Sequence, residues 1–174
     1  MKSILFACTI LSIISLNWTV FTPDNGGFSI MSPGELDLEV NTIKTQVGPI
    51  QLYKYVYHEP DAAAPVFLYS ISYYAYPEGL ISSDSLEMTE QFFSETLAAI
   101  SERIGGEVIY SEVATYKDYP ARITRISYND GAYSLKNKLI LVDNKFYLLE
   151  VFSTLDQSVD YKVNKFIDSF TLKE

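Results

Sequence analysis

The chain has 174 residues, 48% of them hydrophobic and 14% aromatic, which suffices for one folded core and argues against disorder. Its formal net charge of -9 opposes binding to duplex DNA, an RNA backbone or an anionic membrane surface. A single cysteine and a single histidine exclude an intrachain disulfide and the Cys-rich or multi-histidine shells that zinc prefers.

Lys2 and the 13-residue apolar run over residues 4–16 have the charged start and short apolar core of a secretory signal. The run is shorter than the ~20 apolar residues that span a bilayer. The reading is export to the periplasm or the extracellular space, with residues 1–16 as the leader and residues 17–174 as one globular domain. Two alternatives stay open: the segment remains as a membrane anchor, or Leu5-Phe6-Ala7-Cys8 serves as a lipobox and Cys8 is lipidated. In each case membrane contact runs through this segment alone.

Residues 18–21 and 28–31 flank Thr22-Pro23-Asp24-Asn25-Gly26-Gly27, turn chemistry that predicts a short hairpin. Leu36, Leu38 and Val40 alternate with Asp37, Glu39 and Asn41, the period of a half-buried strand running to about residue 46, where Gly48-Pro49 follows. Residues 51–58 and 66–76 are rich in aromatic and β-branched residues and read as antiparallel strands joined by a loop. The period then changes. Leu86, Phe93, Leu97, Ile100 and Ile104 share one helical face opposite Glu87, Gln91, Glu95 and Glu102, with Asp84 and Glu87 as an acidic cap and Gly105-Gly106 as the stop. Strands are predicted over 108–116, 121–128, 135–142 and 146–153, the last three a meander through Asn129-Asp130-Gly131 and Asp143-Asn144. A closing helix over 157–170 buries Val159, Val163, Phe166, Ile167 and Phe170.

Trp18-x-x-Phe21, Gly26-Gly27-Phe28-Ser29-Ile30-Met31-x-Pro33-Gly34, the central helix, the meander and Phe166-Ile167-Asp168-Ser169-Phe170 together resemble the PsbP-like, or Mog-like, domain family from Trp18 onward. The resemblance implies an α+β fold, an antiparallel sheet flanked by helices in an α/β/α sandwich, and an exported bacterial member with a leaning towards binding. It carries over no site residue.

No catalytic constellation is assembled by the residues. His58 and Glu59 are strand neighbours that point to opposite faces, and no Gly-x-Ser-x-Gly elbow, P-loop or Gly-x-Gly-x-x-Gly occurs. Asp24, Asp130 and Asp143 lie in turns that favour aspartate, without the spacing of a calcium loop, so neither metal nor cofactor is expected. The compositional oddity is tyrosine, 14 of them. Tyr53, Tyr55 and Tyr57 share a strand face, and Tyr73, Tyr74 and Tyr76 crowd a strand end beside Pro77-Glu78-Gly79. Tyrosine joins a large apolar ring to a polar tip, so Tyr73, Tyr74 and Tyr76 are the candidate binding residues; the competing reading places such rings between sheet and helix. Two function classes follow: a non-catalytic binding or assembly module of the cell envelope whose partner is another envelope protein, or a small secreted hydrolase using carboxylates or a serine.

Overall fold

A computed structural model describes residues 18–45 and 48–173, so the leader reading, Cys8 and the end of the third strand at residue 46 lie outside the described residues. In chain order the elements are β1 (Thr19–Phe21), β2 (Phe28–Ser32), β3 (Asp37–Thr45), β4 (Gly48–His58), β5 (Val66–Ala75), α1 (Leu86–Ile104), β6 (Glu107–Tyr116), β7 (Tyr119–Tyr128), β8 (Tyr133–Val142), β9 (Lys145–Thr154), a 3-10 turn (Leu155–Gln157), α2 (Tyr161–Asp168) and β10 (Thr171–Leu172). Seven strands form one antiparallel sheet in the order β3-β4-β5-β9-β8-β7-β6, and β1, β2 and β10 form a small second sheet. Helix α1 carries the chain from β5 to the far edge of the sheet, and the meander β6 to β9 returns until β9 closes on β5.

Alternation along the strands splits the core in two. Ile140, Leu149 and Val151 pack with Tyr55, Tyr69, Ile71 and Tyr73 under α2 (Val163, Phe166, Ile167), whereas Leu139, Leu141, Phe146 and Leu148 pack under α1 (Phe93, Leu97, Ile100). Such a two-sided sheet carries continuous apolar runs in its central strands, here residues 139–142 of β8 and 146–149 of β9. Phe28 of β2, fully buried, reaches the α2 side and meets Tyr55, Tyr73, Tyr147 and Phe170 at centroid distances of 5.8 to 6.4 Å. The tight approach before it requires glycine: a Cβ on Gly26 would strike Pro23 and the Phe28 ring. The Gly26 carbonyl then accepts from Lys145 Nζ (2.6 Å) and Tyr147 Oη (3.1 Å), fixing the hairpin to β9.

The fold is therefore a β-rich α+β arrangement, with thinner helical cover than a sandwich of full layers. The closing helix is shorter than expected because Leu155–Gln157 forms a separate 3-10 turn and Asp160 caps α2 by accepting from Lys162 N at 2.7 Å. Val159 precedes that cap and stays exposed at 69%. At α1 the cap is Ser85, whose Oγ accepts from Met88 N, and Asp84 stands outside the helix. Leu86, in the first turn, is exposed, while Thr89 takes the buried position in its stead. Gly105 ends the helix in the left-handed conformation (φ 60°, ψ 41°), as the glycine pair implied. Leu36, just before β3, is buried, but β3 is a sheet edge and its Leu38 and Val40 remain about half exposed, where a strand with one buried face was expected. Strand β10, too short for a periodic signal, pairs with β2.

Candidate functional site: an aromatic cleft beside helix α1

Tyr73 and Tyr74 are consecutive on β5 and therefore leave the sheet on opposite sides. The Tyr73 ring is 4% exposed on the α2 side, stacked on Tyr53 at 5.1 Å and close to Tyr55 and Phe28, with Lys145 Nζ 4.6 Å from its centroid. It is a core ring, which corrects its assignment to the binding set. Tyr74 and Tyr76 lie on the α1 side, 5.4 Å apart and edge-to-face. Tyr74 packs on Phe146 (5.4 Å) and Tyr76 on Phe92 of α1 (5.8 Å), and Phe92 closes the ring cluster on Phe146 (4.9 Å).

Above these rings opens a cleft of about 720 Å³ between α1, the loop over residues 76–85 and Lys44 of β3. Tyr74, Tyr76 and Phe92 form its wall, Leu80, Ile81, Met88 and Ala99 its apolar rim, and Gln91, Glu95 and Thr96 its polar rim. That volume falls in the range of small-ligand and side-chain pockets. The loop is held from below. Tyr76 N donates to Asn144 O (2.9 Å) while Asn144 Nδ2 donates to Tyr76 O (2.5 Å), and Ser83 N donates to Asp143 O while Asp143 N donates to Ser83 Oγ. Gly79 turns the loop at φ +81°, which leaves Leu80 44% exposed and drops Ile81 into the core. Met88, one turn into α1, is 41% exposed. Burial pushes the Tyr74 phenol well above its usual range, with the adjacent Tyr76 phenol adding to the shift, so Tyr74 stays neutral and serves as a hydrogen-bonding group.

Beneath α1 runs a polar row that the sequence reading did not single out. Ser70, Glu150, Asn137 and Thr124 occupy facing register positions on β5, β9, β8 and β7, and each is no more than 1% exposed. Glu150 accepts from Ser70 Oγ (3.2 Å) and from Arg103 of α1 (2.8 Å); Asn137 Nδ2 donates to Thr124 Oγ1, and its Oδ1 has no partner. A second ion pair joins Glu90 of α1 to Arg122 of β7. Both ion pairs among the described residues thus tie α1 to the sheet. The signal was present in the sequence: Glu150 interrupts the apolar run Phe146-Tyr147-Leu148-Leu149. His58 is exposed, and Glu59 accepts instead from Tyr57 Oη, so the two do not form a pair.

With this geometry in view, the solved structure of cyanobacterial PsbP from Synechocystis superposes with a TM-score of 0.55 at 10% identity, over 97% of this chain and 98% of that one. The fold is PsbP-like. A Pseudomonas aeruginosa protein of unknown function aligns over 84% of this chain and 90% of its own, at 10% identity and a TM-score of 0.46, too low to weigh. No family model and no curated protein matches the chain by sequence. At this identity the PsbP-like likeness concerns the fold and transfers no site.

Proposed function

We propose that the chain is an exported bacterial binding module of PsbP-like fold, without catalytic activity, that joins another protein of the cell envelope by receiving its apolar side chains in the cleft beside α1. The observation that carries this reading is the cleft itself: a wall of packed aromatic rings under a rim that leaves Leu80 and Met88 about half exposed. Packed rings at the base and half-exposed Leu80 and Met88 at the rim suit a protein anchor at low entropic cost. The cleft lining balances Lys44 against Glu95, so the charge preference comes from the chain's surplus of acidic residues, which favours a partner that flanks its apolar anchor with lysine or arginine and makes association slow as salt rises. Lys2 and the apolar run at residues 4–16 support export.

A photo-crosslinking residue placed at Met88 in the full chain, expressed in its own envelope, tests the reading. It is expected to give one discrete protein adduct, whereas the same residue at Val113, exposed on β6 at the opposite edge of the sheet, gives none. Equal adducts from both positions, or none from either, contradict it.

A further inference from the structure

Strands β7 and β8 bring three cations to the α2 side of the sheet. Arg125 stands directly opposite Lys136, and Lys138 follows two residues along the same face of β8. Like charges directly opposed destabilise a sheet, and partial burial adds a desolvation cost. Their close contacts are neutral: Arg125 Nη1 donates to Ser158 Oγ (2.9 Å), Lys136 Nζ donates to Asn164 Oδ1 (2.7 Å), and Lys138 Nζ lies 5.5 Å from the Tyr116 centroid. The Arg125 guanidinium sits 5.3 Å from the Tyr110 centroid, and its buried Nε has no acceptor. Asp168 and Glu112 are the carboxylates whose fields reach the cluster, yet neither forms an ion pair with it among the described residues. Burial lowers the pKa of Lys136 and Lys138 against the opposing field of Asp168, and at Lys136 the charges of Arg125 and Lys138 add to the lowering. A chain of net charge -9 has thus gathered three of its cations where they repel one another.

We propose that this shelf between β6 and α2 binds an oxyanion, the phosphate or carboxylate group of a small soluble ligand, through Arg125, Lys136 and Lys138. An oxyanion seated among them replaces mutual repulsion by charge-assisted hydrogen bonds to the cationic side-chain tips. The Tyr110 and Tyr116 rings flank the cations and offer apolar cover to the remainder of the ligand. The shelf lies on the face of the sheet opposite the α1 cleft, so the two sites are independent.

Calorimetric titration of the purified chain with inorganic phosphate, and separately with citrate, at low ionic strength tests the proposal, with sodium chloride of equal ionic strength as the reference. At least one oxyanion is expected to bind saturably with a stoichiometry of one, and Lys138→Met to weaken that binding about tenfold or more. In anion-free buffer Lys138→Met is expected to raise the melting temperature, because it removes a partly buried charge whose desolvation outweighs the field of Asp168, without removing a hydrogen bond, while Lys54→Met, on the other face, alters neither binding nor melting. Binding of neither anion beyond the chloride reference, undiminished binding by Lys138→Met, or a lowered melting temperature for that variant overturns the proposal.

Discussion

The Arg103–Glu150 pair is unequal: the arginine side chain is 55% exposed and the carboxylate 2%. Removing either partner therefore does different damage. Arg103→Ala leaves an unpaired charge in the interior and is expected to cost about 3 kcal/mol, whereas Glu150→Gln leaves a guanidinium free to rehydrate and is expected to cost less than half as much, both read by urea denaturation at neutral pH. The tyrosines make a second claim at this scale. Burial pushes the Tyr147 phenol up to about 12, and moves Tyr69, Tyr73 and Tyr74 further in the same direction from the ordinary value of 10.0. Between these values the unfolded chain has lost protons that the folded chain keeps. Stability is therefore intact below about pH 10 and falls as pH rises towards 12 and beyond, with tyrosinate absorbance appearing together with loss of fold. Tyrosinate appearing near its ordinary pH in a fully folded chain would mean that these rings are solvated. The residue composition announced the aromatic content but not its division, because a single step along β5 sends Tyr73 into one core and Tyr74 into the other.

Among the elements, α1 is the one whose face was legible, since Phe93, Leu97 and Ile100 follow the helical period and are buried. Leu97→Ala is expected to cost about 2–5 kcal/mol through lost transfer energy and the cavity left behind. Glu95→Ala, exposed and joined only to Gln91 at 2.8 Å, is expected to cost less than about 0.5 kcal/mol in the same denaturation assay. Equal losses would mean a rotated helix. What periodicity could not supply was the depth of each end: Leu86 and Val159 fit an apolar stripe, but Leu86 opens the first turn of α1 and Val159 precedes the cap of α2, and both are exposed. Nor could it reveal β10, two residues long, which matters because Lys173 N donates to Gly27 O (2.9 Å) and Leu172 N to Tyr116 Oη (3.0 Å). Edge position likewise decides the fate of β3. Its alternation is regular, yet β4 is its one neighbour in the sheet and Leu38 and Val40 stay open to solvent.

Across the whole molecule, two helices of unequal length cover one seven-stranded sheet from either side, and their limited reach creates both features of interest. Helix α1 packs over β7 to β9 and leaves the aromatic cleft where β5 and its following loop emerge. Helix α2 packs over β5, β8 and β9 and leaves the cationic shelf towards β6. The sheet, the meander and the central helix were legible in the sequence because each carries its own period. The cleft was legible only in part, through Tyr74 and Tyr76, because its other wall comes from Phe92 and Met88 on a helix whose approach is set by tertiary packing.

Whether the cleft binds a protein is decided by the affinity of the partner identified by crosslinking at position 88 for a Leu80→Ala, Met88→Ala double variant of the full chain. Both side chains are about half exposed at the rim, so the melting temperature is expected to fall by only a few degrees, about as far as partial loss of packing allows, while binding weakens by about 1–2 kcal/mol, or roughly five- to thirtyfold, with Val113→Ala as the unaffected control. Unchanged affinity in the double variant, with its fold intact, would mean that the cleft is not the binding surface.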